Sequence, residues 1–220
     1  MKKTIVIMGI LVLLATGAFS MEITGAGAKV GLNMASVNED EIDILVGYGF
    51  DTKSRMGFTG GAFVEYAFVP QFSMQVEGLL SMKGTKLENE AGDEYTLKLS
   101  YLEFPVLLKL NIPMEGKLNP HVYAGPFLGI LLSAKGPFPN SENEAVIDED
   151  VDIKDYMNTV DYGMVLGMGL EYQLSKGSIT FDARFNLGMS KIGDSEKLDM
   201  ESDPNWKNKT ISFMFGYNFF

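Results

Sequence analysis

The sequence predicts an all-β fold, an eight-stranded antiparallel up-and-down transmembrane β-barrel, and three observations lead there. Apolar residues recur at period two, not 3.6, through most of the chain. Eight such stretches are joined by connections that alternate between short turns and long or acidic segments, the layout of a barrel that crosses a membrane. The chain ends in "ISFMFGYNFF", 211–220, rich in aromatics, whereas the end of a soluble domain is ordinarily frayed and polar.

The elements can be taken in order. Residues 1–20 stand apart: "MKK" is a charged start, residues 5–14 are an apolar run, and Ala18 and Ser20 fit small-x-small cleavage. A spanning helix needs about 20 apolar residues, so 1–20 reads as a signal peptide. That leaves 21–220 as one barrel domain, without a linker. The first strand, about 26–37, places Lys29 and Gly31 opposite its apolar face. The second, 56–69, carries Gly61 and Glu65 there, with Tyr66 and Phe68 at its short turn and Phe58 at the far end. The third, 71–87, carries Glu77 and Lys83, with Phe72 at the same turn.

The fourth strand, 95–112, carries Glu103 and Lys109. Its apolar phase slips at "SYLEF", where Tyr101 and Leu102 adjoin. Pro105 removes a donor from a strand that needs two neighbours. In the fifth, 120–135, Pro126 falls nearly opposite Pro105, so a bulge is expected here. The sixth, 161–174, sets Tyr162, Met164, Leu166, Met168, Leu170, Tyr172 and Leu174 on one face. The seventh, 177–192, sets Ile179, Phe181, Ala183, Phe185, Leu187 and Met189 on one face, with Asp182 and Arg184 on the other. The eighth, 208–220, sets Ile211, Phe213, Phe215, Tyr217 and Phe219 together. It is sticky because it closes the barrel, facing lipid and pairing with the first strand. Phe220 lies out of phase.

The two faces fix the solvent. The apolar faces are continuous, while the opposite ones carry Gly and a near-balanced charge set: Lys29, Glu65, Glu77, Lys83, Glu103, Lys109, Glu171, Asp182 and Arg184. That inverts a soluble barrel, with lipid outside and a polar core inside. A soluble periplasmic lipocalin-like barrel is the competing arrangement, with its apolar faces inward. Aromatics near the short turns (Tyr66, Phe68, Phe72, Tyr172, Phe181, Tyr217, Phe219) form an interfacial girdle. Eight strands enclose a bore that side chains just fill, so the inward charges predict a salt-bridged plug rather than a pore. Hairpin register places Glu171 near Asp182, with Arg184 diagonal to both.

Composition bounds the function. The net charge of −11 argues against nucleic acid, which needs basic patches. The absence of Cys excludes disulfides, thiol chemistry, a Cys-linked lipid anchor and Cys-ligated metal. The segments 38–55, 88–94, 136–160 and 193–207 hold most of the acid. "DEDVD", 148–152, has carboxylates for a divalent cation, but its spacing does not match an EF-hand loop, and solvated loop charge is the better reading. Such loops can also contact lipopolysaccharide phosphates through bridging cations.

The run from "GAKVGLNMASV" through "FTGGAFVEYAF", "QVEGLLSMKGTK", "YLEFPVLLKL", "PHVYAGPFLGILL" and "FDARFNLGMSKI" to "FGYNF" resembles the small outer-membrane β-barrel family, the porin-family or PorT-like proteins. The resemblance implies an eight-stranded barrel in the outer membrane of a Gram-negative, Bacteroidota-like bacterium. It carries no catalytic residues. The C-terminal strand also looks like the aromatic signal read by barrel-assembly machinery.

Enzymes occur among such barrels, acting on lipid A or on peptides, and a His base would have to face the outer leaflet or medium. His121, the only His, follows the "NP" turn and is expected at the periplasmic rim, the wrong side. The expectation is therefore a non-enzymatic outer-membrane protein of envelope integrity or surface interaction. It has no catalytic, cofactor or metal site and no cofactor. Its partners are outer-membrane lipid, lipopolysaccharide and the assembly machinery, with no nucleic acid and with any protein partner unassigned. A PorT-like accessory of a secretion system is the alternative within the family.

Overall fold

A computed structural model describes residues 22–37, 50–89, 92, 94–139, 147–193 and 206–220. The segment read as a signal peptide, and most of the acidic connections after the first and seventh predicted strands, lie outside the described residues. The strands are β1 (Glu22–Val37), β2 (Phe50–Val69), β3 (Phe72–Asn89), β4 (Glu94–Asn111), β5 (Leu118–Pro139), β6 (Ile147–Asp152), β7 (Val160–Gln173), β8 (Ser178–Gly188) and β9 (Asn208–Asn218).

Every pairing is antiparallel. β1 pairs with β2, β2 with β3, β3 with β4, β4 with β5, β5 with β7, β7 with β8 and β8 with β9. β9 returns to β1, from Gly27 opposite Asn218 to Val37 opposite Asn208. The result is a closed eight-stranded antiparallel barrel, as the alternation predicts. Closure removes the edges that an open sheet would expose. The C-terminal strand closes it.

Burial follows the predicted phase. In β8, Ser178, Thr180, Asp182, Arg184 and Asn186 are buried inward while Ile179, Phe181, Phe185 and Leu187 stay exposed outside. In β9, Thr210, Ser212 and Met214 are buried while Ile211, Phe213, Phe215 and Tyr217 are exposed. A water-soluble protein would pay heavily for such a continuous apolar exterior. A bilayer reverses the sign.

The wall is uneven in height. A tilted spanning strand needs about 9–11 residues. β8 and β9 have 11 each, whereas β2, β3, β4 and β5 have 20, 18, 18 and 22. Those four strands rise past the apolar belt at the end away from the short turns. There the structure departs from the sequence reading of 136–160 as a connection. β6 pairs with the top of β5, Lys135 opposite Asp152 and Gly136 opposite Val151. A 3-10 turn, Lys154–Tyr156, follows it. "IDEDVD" reads as solvated charge because four of its residues are acids, and only the tall β4–β5 hairpin supplies it a partner.

This excursion turns Ile153 and Met157 inward. They join Val37, Leu97, Leu99, Tyr101, Leu131, Ala134 and Ile192 in one buried apolar cluster, with Tyr156 and Trp206 packed against it. It is a lid over that end of the barrel. It also corrects the expected slip at "SYLEF". β4 keeps its alternation unbroken, with Leu97, Leu99, Tyr101, Glu103, Leu107 and Lys109 all buried. What changes along β4 is the chemistry of the interior, apolar under the lid and ionic below. The expected bulge does occur, but its extra residue is on the partner. Ser100 lies opposite Ser133 and Tyr101 opposite Leu131, which leaves Leu132 over. Pro105 lies opposite Phe127, next to Pro126.

Candidate functional site

The interior is built from side chains that alternate inward from every strand, and the registers stack them in levels. Nearest the short turns, Lys109 Nζ is 2.9 Å from Glu65 Oε2 and 3.5 Å from Glu171 Oε2. Ser73 donates to Glu65 and Ser178 to Glu171, each at 2.6 Å.

One level up, Arg184 donates to both oxygens of Glu77, at 2.7 and 2.9 Å, the bidentate geometry in which a guanidinium matches a carboxylate. Lys29 lies 2.8 Å from Asp182 Oδ2 and 3.6 Å from Glu77. His121 donates from Nε2 to Asp182 Oδ1 at 2.8 Å, since an ionised carboxylate only accepts. Gln75 adds a bond to Glu77 at 2.5 Å.

An apolar layer of Leu107, Tyr123, Phe127 and Val165 comes next. Above it, Lys83 contacts Glu103 and lies 3.5 Å from Asp161. Ser190 donates to Asp161 at 2.6 Å and Asn208 at 3.0 Å. Lys83 also sits over the Phe127 ring, 4.8 Å from its centroid, a cation–π contact.

All nine charges predicted to face inward do so. Their partners differ from the expected ones. In the β7–β8 hairpin Glu171 lies opposite Thr180, Asp182 opposite Gly169 and Arg184 opposite Gly167, so these three do not form one cluster. Arg184 instead reaches across the bore to Glu77 on β3, and Asp182 to Lys29 on β1. The glycines make this possible. A Cβ on Gly169 would meet Asp182 Oδ1 at 2.5 Å and His121 Nε2 at 2.6 Å, and one on Gly167 would meet the Tyr123 ring at 2.5 Å.

His121 is corrected too. It stands inside the barrel, 2% exposed, and not at the rim, because β5 begins at Leu118, before the "NP" pair. Asp161 was missed by the sequence reading. The signal was there, since it lies two residues before Gly163 on the inward face of the same strand.

Outside the belt several of the described charges pair with one another. Lys53 contacts Glu88, Lys86 lies 2.9 Å from Glu94, and Lys98 lies 2.6 Å from Asp150. Hydrogen bonds from Lys98 and Lys86 hold the Asp150 and Glu94 carboxyls below their ordinary range. Asp152 accepts from the Lys154 N–H at 3.0 Å. Within "DEDVD", Asp150 and Asp152 are therefore engaged by the protein itself. The Asp148 and Glu149 side chains lie outside the described residues.

A family model described as an outer membrane protein beta-barrel domain matches residues 24–194. No functionally curated protein matches the sequence. Among solved structures, Neisserial surface protein A is 13% identical, at a TM-score of 0.48, with 87% of this chain and 96% of that one covered. Ail, the attachment invasion locus protein of Yersinia pestis, is 16% identical, at 0.43, with 90% and 100% covered. The outer membrane protein OprG from Pseudomonas aeruginosa is 12% identical, at 0.45, with 90% and 97% covered.

Proposed function

The chain belongs to the family of outer membrane protein β-barrel domains, and from that premise we propose that it is a non-enzymatic integral protein of the outer membrane, acting in envelope integrity or surface interaction. One observation carries the reading: the bore is filled. Three ionic levels and two apolar ones succeed each other along it, and their charged side chains are nearly all buried. Eight strands leave little free space once such side chains are placed, so the lumen holds the wall together and leaves no path for solute.

The same burial bears on catalysis. Among the described residues, the Asp182–His121 pair is the arrangement that resembles acid–base machinery. Both residues are buried, between ion pairs and an apolar layer, out of reach of a lipid or peptide. Export by a cleaved signal peptide at 1–20, recognition of β9 by the assembly machinery, and contact of the belt with outer-membrane lipid and lipopolysaccharide complete the proposal.

Fractionation tests it. The protein is expected to sediment with outer membranes and to resist carbonate extraction. Recovery from the soluble periplasm would overturn the reading.

A further inference from the structure

The regular β7–β8 ladder runs from Gln173 opposite Ser178 to Gly163 opposite Gly188, and beyond it the Met189 and Ser190 N–H groups both donate to the Tyr162 carbonyl, at 2.8 and 3.3 Å. The two segments pair again at the bridge between Met157 and Gly193. Asn158 holds this junction by donating to the carbonyls of Lys191 and Gly193, at 3.1 and 2.7 Å. Around this irregular stretch lies a cleft of about 540 Å³ on the outside of the wall. Its apolar side is Val160, Tyr162 and Met189, each 45–49% exposed. Its polar side includes Ser190, Lys191 and Lys207.

Two further observations say what fits. The first is depth. A belt about 25 Å tall takes roughly ten residues of tilted strand, and the outward apolar column of β8 runs from Ile179 to Met189. Lys191 follows on the same phase. On β9 the apolar column ends at Ile211, and Lys209 and Lys207 continue it. The apolar side of the cleft is thus continuous with the lipid-facing belt, and its lysines stand where headgroups begin, on the low side of the barrel.

The second is charge. In a chain of net charge −11, the rim lysines Lys53, Lys86 and Lys98 are each neutralised by a carboxylate. Among the described residues Lys207 and Lys209 are paired with none.

We propose that this cleft binds a phosphorylated outer-leaflet lipid, its phosphate on Lys207 and the neighbouring Lys209 and its acyl chains on Val160, Tyr162 and Met189. The proposal rests on the outer-membrane reading and names a ligand class for it. The protein would then hold a fixed anionic lipid on its low side, tying the barrel to the leaflet it sits in.

The test uses the full chain, refolded into phosphatidylcholine nanodiscs that contain either diphosphorylated lipid A or its dephosphorylated form. Retained lipid is counted by native mass spectrometry. Wild-type protein is expected to retain the phosphorylated form preferentially. The variant K207Q/K209Q is expected to lose at least about tenfold of that retention, since a basic residue near an anionic surface is worth about 1 kcal/mol. K53Q/K86Q removes equal charge from paired sites and is expected to lose little. Val160→Asp should lower retention with all lysines intact, which separates an acyl contact from a purely ionic one. Heat-modifiable migration reports that each variant is folded.

Three outcomes overturn the site alone: insertion with no preference between the two lipids, equal losses in the two double variants, or full displacement of lipid A by inorganic phosphate. Failure to insert into any bilayer overturns the outer-membrane reading as well.

Discussion

Arg184 spans the bore to Glu77 with two hydrogen bonds, and around it Lys29, Asp182 and His121 each depend on another member of the set. Removing one partner of a buried ion pair typically costs ~3–5 kcal/mol, because the other is left charged and unpaired. Arg184→Leu should therefore lower unfolding stability in lipid or detergent far more than Lys154→Leu at the exposed 3-10 turn. Denaturant titration followed by mobility compares the two. Chemistry outside the belt is gentler. Asp150 is held below its ordinary pKa chiefly by a hydrogen bond from Lys98. A carboxyl lowered in the folded state stabilises it above the ordinary carboxylate range, and that contribution is lost as pH falls through its folded value. Lys98→Gln should shift the Asp150 titration back up, as read by NMR, while stability changes little because both groups are exposed.

Elements carry the closure of the fold. β9 is held at its end by Asn218, whose Oδ1 accepts from the Ala26 N–H at 3.0 Å, and by Phe219, which donates to the Ala26 carbonyl at 2.9 Å. Truncation after Tyr217 removes both and should leave periplasmic aggregate or degraded chain. Phe220→Ala should matter less, because Phe220 adds no register to the ladder. Surface labelling of intact cells distinguishes the two. The period-two pattern made all eight barrel strands legible, since each buries one face against the other strands and leaves the other to lipid. β6 was not legible. It is six residues long, and its pairing bends at Asp150, whose positive φ of 61° suits Asp better than most side chains.

At the scale of the molecule, an uneven wall, an ionic interior and an apolar lid act together. The tall β2–β5 side gives β6 a surface to fold on, and β6 in turn delivers Ile153 and Met157 to the lid. A planar bilayer with wild-type protein should show at most rare, small conductance steps. Large, steady conductance, with an Arg184→Leu protein altered in ion selectivity but not in stability, would show an open channel. Met157→Asp should test the lid: a charge placed among Leu99, Tyr101 and Ile192 is expected to lower thermal stability without preventing insertion, because the belt is untouched.

Periodicity, chain length between turns and the sign of each face are local properties, and the sequence by itself determined them. The strands, the inversion of inside and outside, the closing role of 211–219 and the inward set of charges all follow from residues within a few positions of one another. Which charge meets which is not local. Glu77 and Arg184 are far apart in the chain, and their meeting depends on the shear that closure imposes on all eight strands. The same holds for His121, Asp161 and the lid, where a loop-like acidic segment finds a partner only once β4 and β5 stand above the membrane. The tertiary structure decided these because a pairing across the bore depends on the summed registers of every strand between the partners, and no single stretch of sequence contains that sum.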